Sequence, residues 1–222
     1  KGDIFSNGSW GLRTFNTYNL LYRSRGSFNL GYSEYITGDK DIPSTYEKIK
    51  SYTINWQHLQ DNRSNPSVRF LSNVNYMNSQ YNKYNSFNSG QFLTNTFQSN
   101  VEFTKTYKWS SLSLNARHNQ NTITRKMDLT LPSLTFNVNR FFPLRVLGAT
   151  KVQVLDKLGV SYILTAQNSI SGADSTLLKG NIADSLQYGI KQSLPISTNF
   201  NMFKHITVSP VLNINSYMYT RT

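Results

Sequence analysis

The chain contains no cysteine, so neither a disulfide framework nor a thiolate metal site is open to it. No apolar run approaches the roughly 18 residues that a membrane-crossing helix needs, which excludes a helical membrane protein. Charge is scarce: charged residues make up 15% of the 222, and only 11 are acidic. Most acidic residues fall in turns and loops, so no paired carboxylates stand in an apolar setting for acid–base work. Asp39 and Asp41 share a loop with Gly38, but the spaced ligands and terminal Glu of a calcium loop are missing. No Gly-rich segment between a strand and a helix could cradle a phosphate. The three histidines, His58, His118 and His205, are scattered along the chain, whereas a hydrolase needs a His beside its nucleophilic Ser. The simpler reading of all three is as amphipathic rings at an interface. These gaps lead us to expect no enzyme, no metal and no cofactor.

What is abundant points elsewhere. Aromatic residues reach 14%, with Tyr 14, Phe 13 and Trp 3, and a disordered chain would carry few of them. Mean hydropathy is −0.47, yet a wall that is apolar only at every second residue can be polar on average and still span a bilayer. The net charge of +12 favours anionic partners, and a phosphorylated glycolipid or an anionic membrane surface fits it as well as nucleic acid.

Period two runs through almost the whole chain, and helical period is nearly absent. Strands are expected over about 8–23 (Trp10, Leu12, Tyr18, Leu20 and Tyr22 on one face), after a turn at 24–26, and through Tyr52, Ile54 and Trp56. Others follow through Val68, Phe70 and Val74, over about 91–106, through Leu112 and Leu114, over 127–140, and from Leu158. A long strand then runs to Met202, turns at 203–205, and returns through Val208, Leu212 and Ile214. Links alternate in length: 24–26, 60–66 and 107–109 are short, while 37–48, 79–90 and 169–183 are long. Only an insertion at 141–156 departs from that alternation. Short turns on one side and long loops on the other mark an outer-membrane barrel. A soluble sandwich would have strands nearer five or six residues long. The expected fold is therefore all-β, an antiparallel transmembrane β-barrel segment of roughly ten strands, part of a larger barrel.

Strand parity sorts the side chains. Arg13, Arg69, Arg117 and Lys191 share faces with Asn, Ser or Gly and are expected to point into a lumen, as anion contacts or as ordinary lumen polarity. Trp10, Tyr22, Trp56, Phe70, Phe97, Trp109, Leu114, Phe136 and Phe200 are expected to face lipid or its interfaces. Lys105 and Arg140 fall on the apolar face at strand ends, where their stems can snorkel.

Three landmarks occur in order along the chain. The first is Gly2-Asp3-Ile4-Phe5-Ser6-Asn7-Gly8-Ser9-Trp10-Gly11-Leu12. The second is Trp56-Gln57-His58-Leu59-Gln60-Asp61, followed by Pro66, Phe70 and Val74-Asn75. The third is Leu129-Thr130-Leu131-Pro132-Ser133-Leu134, then Asn139-Arg140 and Pro143. Together they resemble the barrel of Bacteroidetes LptD-type proteins, the lipopolysaccharide-assembly family of the Gram-negative outer membrane. That resemblance implies a non-enzymatic translocon with a barrel of about 26 strands behind a periplasmic jelly-roll domain. Residues 1–222 would be a partial barrel, with the jelly roll, closing strands and lateral gate outside the sequence. Implied partners are lipopolysaccharide, an LptE-type lipoprotein plug, a periplasmic LptA-type bridge and outer-membrane lipids, and no nucleic acid. Asp174-Ser175-Thr176 and Asp184-Ser185-Leu186 also resemble O-glycosylation acceptors of Bacteroidetes secreted proteins. A porin or secretion channel, or a soluble all-β glycan-binding or adhesion module, remains the alternative.

Overall fold

A computed structural model describes residues 1–78, 80–85, 89–146, 156–173, 177, 186–202 and 206–219. About 70% of them are strand. The order is β1 (Gly2–Ile4), β2 (Trp10–Leu20), β3 (Ser24–Thr37), β4 (Glu47–Gln60), β5 (Val68–Met77), α1 (Tyr81–Asn85), α2 (Ser89–Leu93), β6 (Thr96–Thr106), β7 (Ser110–Asn121), β8 (Lys126–Phe141), α3 (Pro143–Val146), β9 (Gly159–Ala173), β10 (Gln187–Ser197), β11 (Phe200–Met202), β12 (Ile206–Val208) and β13 (Val211–Tyr219). Eleven strands form one sheet in which each neighbours the next in sequence, ending β9-β10-β13, while β11 and β12 pair separately. The order stops at β1 and β13, so the sheet is not closed on itself among the described residues.

The chain divides into two compact units: Lys1–Phe103, Asn115–Leu131 and Ser169–Leu186 form the first, and Thr104–Leu114, Pro132–Asn168 and Gln187–Thr222 the second. In the first unit the registers of β2 to β5 are unbroken antiparallel ladders. Its fully buried side chains are mostly small hydroxyls such as Ser9 and Ser51. One apolar cluster stands apart, Met127, Ile170 and Leu177, with Tyr76, Leu129 and Leu186 packed on it. A wall whose apolar residues point outward has little interior to fill, which is why so few large side chains are enclosed.

Local chemistry explains the turns. Leu21–Arg23 links β2 to β3, with Tyr22 at φ 59° and the Arg23 amide donating to Leu20 O at 2.9 Å. The expected turn at 24–26 is therefore displaced, and those residues belong to β3, paired with 60–58 of β4. Between β4 and β5, Asp61 Oδ1 accepts the Arg63 amide at 2.9 Å and Asn65 Oδ1 accepts the Ser67 amide at 3.1 Å. These are two Asx turns in succession. Asn121 Oδ1 closes the β7–β8 turn by accepting the amides of Ile123 and Thr124, both at 3.0 Å.

Several other expectations change. The segment expected to start a strand at 91 instead holds α2, and the strand begins at Thr96. The long strand expected to run to Met202 breaks at Thr198: β10 pairs with β13, β11 pairs with β12, and the Thr198 amide reaches Pro210 O at 3.3 Å. Proline cannot donate to a ladder, so the hairpin is interrupted there. The turn expected at 203–205, with His205, lies outside the described residues, as do Ser175 and Ser185.

Candidate functional site

The ladders of the first unit carry two opposite surfaces. On one, cross-strand rows read Thr17–Ser27–Gln57–Asn73, Asn29–Asn55–Asn75 and Arg13–Gly31–Thr53. On the other they read Leu12–Tyr32–Tyr52, Thr14–Leu30–Ile54–Tyr76 and Asn16–Phe28–Trp56–Val74. Paired residues share a face and successive residues alternate, so the sheet sorts amide and hydroxyl groups to one side and rings and aliphatics to the other. Sorting is incomplete: Phe15, Leu59 and Leu71 lie on the polar side, and Phe15 is exposed.

Aromatic rings on the apolar side gather toward both strand ends. Trp10 and Tyr32 have ring centroids 5.4 Å apart, and Tyr52 and Tyr76 5.9 Å apart, near the long loops. At the short-turn end, Tyr18 Oη and His58 Nδ1 are 2.6 Å apart, and Trp56 and Phe70 flank His58. Trp56 Nε1 also donates to Tyr18 Oη at 3.4 Å. Tyr18 can lie there because the residue below it is Gly26, whose absent Cβ would meet the ring Cζ at 2.6 Å. Tyr22 sits at the tip of that end under the Arg63 guanidinium, 4.3 Å from its ring centroid. Arg63 holds the Asp61 carboxyl well below the usual range, at about 2, mainly by its side-chain hydrogen bonds.

The polar side is partly covered. Beyond β5, α1 folds back over it: Asn85 Nδ2 donates to Ser51 Oγ at 2.9 Å, Tyr84 stacks on Tyr35 at 4.9 Å, and the Tyr81 phenol lies over Gly31. Burial pushes the Tyr81 phenol up, with Arg13 pulling the other way. A bare glycine is needed at Gly31, since a Cβ there would come within 2.6 Å of Tyr81 Oη. No signal in the sequence separated this inward segment from an ordinary long polar loop.

The predicted residues scatter accordingly. Arg13 lies on the polar side but is ion-paired to Asp3, with its side chain 15% exposed. Arg69 and Arg117 are exposed, and Arg117 Nε donates to Asn115 Oδ1 at 2.9 Å. Lys191 pairs in register with Tyr217, its Nζ 5.5 Å from that ring centroid, on the face that carries Ser193 and Asn215. Phe97, expected to face lipid, is instead enclosed at 2% exposure. It borders a cavity shared with Met77, Asn82 and Thr122, beneath the segment that links β5 to β6. Trp109 is exposed and meets Phe136 edge-on at 6.3 Å, Leu114 is half-buried, and Phe200 belongs to the separate β11–β12 hairpin. Arg140 does not reach out as a free snorkelling cation: its Nη2 donates to Ser197 O at 2.9 Å and Lys157 O at 3.3 Å.

His118 Nδ1 is 3.2 Å from Ser99 Oγ, but that hydroxyl donates to Asn75 O and accepts the Asn75 amide, bridging two strands. Among the described residues no three acidic or histidine side chains could hold a metal ion.

Antiparallel strands with an aromatic, lipid-compatible side and an amide-rich opposite side define a segment of an outer-membrane β-barrel. A family model described as LptD protein matches residues 1–222, so the chain belongs to the LptD family, whose members are outer-membrane proteins of lipopolysaccharide assembly. No curated protein and no solved structure matches it.

Proposed function

We propose that this chain forms part of a non-enzymatic translocon that inserts lipopolysaccharide into the outer leaflet, the sugars following the polar side and the acyl chains leaving through a lateral gate. The observation that carries this reading is the two-sided ladder of β2 to β5, with Asn, Gln, Ser and Thr rows behind rows of Leu, Ile, Tyr and Trp. Neutral amides and hydroxyls can exchange hydrogen bonds with passing sugar hydroxyls, while an apolar outer surface suits acyl chains and membrane lipid.

In this reading residues 1–222 are one arc of a larger barrel whose jelly roll and closing strands belong to the same protein. The turns at 21–23 and 61–67 face the periplasm, because short turns lie on that side. An LptE-type lipoprotein fills the lumen against the polar rows, and an LptA-type bridge delivers substrate through the jelly roll.

Photo-crosslinkers placed at Arg69 or Arg117 in cells should capture lipopolysaccharide or the plug, and ones at Phe70 or Leu114 should capture membrane lipid. Swapped capture refutes the assignment of faces. Ion conductance in reconstituted membranes with no lipopolysaccharide capture at any position would make the chain a porin-like channel instead.

A further inference from the structure

At the short-turn end of the first unit two adjoining cavities open, of about 600 and 670 Å³, with Asn19, Arg25 and Leu59 lining both. The register sets Arg25 in the row Asn19–Arg25–Leu59–Leu71, on the polar side, and parity carries Arg69 to the same side. The smaller cavity adds Asp61, Arg63 and Arg69, and the larger adds Ser27, Gln57 and Asn73.

The charges around the smaller cavity do not cancel. Among the described residues that line it Asp61 is the one acidic group, and Arg63 already holds both its carboxylate oxygens, at 3.1 and 2.9 Å. Neither the Arg25 nor the Arg69 side chain makes a hydrogen bond or close ion pair with any described residue, and Arg25 acts on Asp61 only through its charge, the smallest of the influences that lower that carboxyl. Both stand on fixed backbone. Arg25 is inside the β2–β3–β4 ladder. Arg69 is held by the Gln60 side chain, whose Oε1 accepts the Phe70 amide and whose Nε2 donates to Val68 O, each at 3.0 Å. That amide continues the β4–β5 ladder past its last paired residues, Leu59 and Leu71.

The geometry points to a subsite for a phosphorylated sugar at this mouth of the polar face, with Arg25 and Arg69 as the phosphate-binding forks. A planar guanidinium matches a phosphate bidentately, and one left without a carboxylate partner keeps that capacity free. Asn19, Ser27, Gln57 and Asn73 supply the neutral donors and acceptors that sugar hydroxyls need. The combined space is far larger than an inorganic anion requires, which favours the sugar over a free phosphate. The inference rests on the transport reading and deepens it, since it names the group first met at the side proposed to face the periplasm.

The test uses the full-length protein purified with its plug in detergent, and a radiolabelled bis-phosphorylated glucosamine disaccharide lipid as probe. Arg25→Gln with Arg69→Gln should weaken binding of that probe by about tenfold or more, the scale of losing one charge-assisted hydrogen bond. Paired Arg→Lys replacements should recover part of the loss. The dephosphorylated lipid should bind parent and variant alike, and weakly. Heat-modifiable gel mobility reports that the variants remain folded, as expected for exposed side chains. Unchanged binding in the Gln variant, while a crosslinker at Arg117 still captures lipopolysaccharide in cells, overturns the subsite and leaves the transport reading standing. Displacement of the probe by inorganic phosphate at equal concentration overturns the sugar and leaves a bare phosphate site. Absence of both probe binding and capture at Arg117 overturns the transport reading and the subsite together.

Discussion

Gly26 is the position where a single methyl group should do the most damage on the outer surface. An alanine Cβ there would collide with the Gln57 carbonyl oxygen and with the hydroxyl and Cζ of Tyr18. The Gln57 backbone cannot retreat easily, because Ser27–Gln57 and Gly26–His58 are consecutive ladder pairs. Overpacking of this kind costs about 1–3 kcal/mol. Tyr18 must also swing away from His58 Nδ1, now 2.6 Å from its hydroxyl, and a neutral hydrogen bond contributes about 0.5–1.5 kcal/mol. The lower entropy of the unfolded alanine chain offsets about 0.4–1 kcal/mol. Gly26→Ala should therefore destabilise the folded protein by about 2 kcal/mol, read from urea unfolding in lipid vesicles by far-UV circular dichroism. Tyr18→Phe should cost only the hydroxyl's hydrogen bonds to His58 and Trp56, about 1–2 kcal/mol. In a Tyr18→Ala background, Gly26→Ala should cost less than in the parent, because the ring contact is gone while the Gln57 contact remains. A Gly26→Ala protein within about 0.5 kcal/mol of the parent, or an equal cost in both backgrounds, would refute the packing of Tyr18 over Gly26.

Other positions give independent checks. Gly38 has φ +78° and its absent Cβ would run into the Thr45 carbonyl oxygen, so Gly38→Ala should destabilise by at least the roughly 1–2 kcal/mol of the left-handed region, again by urea unfolding. Gly31→Val should unseat Tyr81 and lift α1 from the polar side. A cysteine introduced at Ser51, which is 1% exposed, should then react faster with a maleimide than it does with Gly31 intact, and an unchanged rate would argue against the docked segment. For Asp61, the folded carboxyl lies at about 2 against an ordinary 3.8, so its ionised form is favoured by folding. The stability it adds is fully present above the ordinary value and is lost as pH falls through about 2. The difference between the parent and Asp61→Asn should thus be constant from neutral pH down to about pH 4 and shrink below it.

Much of the wall was legible before any coordinates. Trp56, Ile54 and Tyr52 alternate with Gln57, Asn55 and Thr53, and the period of two assigned their sides because a strand has no other way to separate them. Parity likewise placed Arg69 and Lys191 with polar neighbours. Arg25 was missed because Gly26 beside it reads as a turn, whereas the chain turns three residues earlier, over 21–23, through Tyr22 at positive φ. Phe97 is enclosed beside Met77, which the register puts on the polar side, and alternation along one strand reports neither that neighbour nor the segment covering it.

The sequence by itself determined the all-β class, the two-sided character of the strands and, through ordered landmarks spread from Gly2 to Pro143, the family. These follow from near-neighbour rules: side-chain alternation, turn chemistry and local motifs. Only the tertiary structure decided which residues remain available on the polar side. It tied Arg13 to Asp3, laid α1 over Gly31 and Ser51, and spent Asp61 on Arg63, leaving Arg25 and Arg69 unpaired at one mouth. The Arg63–Asp61 pair is itself a local turn contact, but the docking of α1 on β3 and β4 and the meeting of Arg25 with Arg69 join residues far apart in sequence, and no local period encodes them.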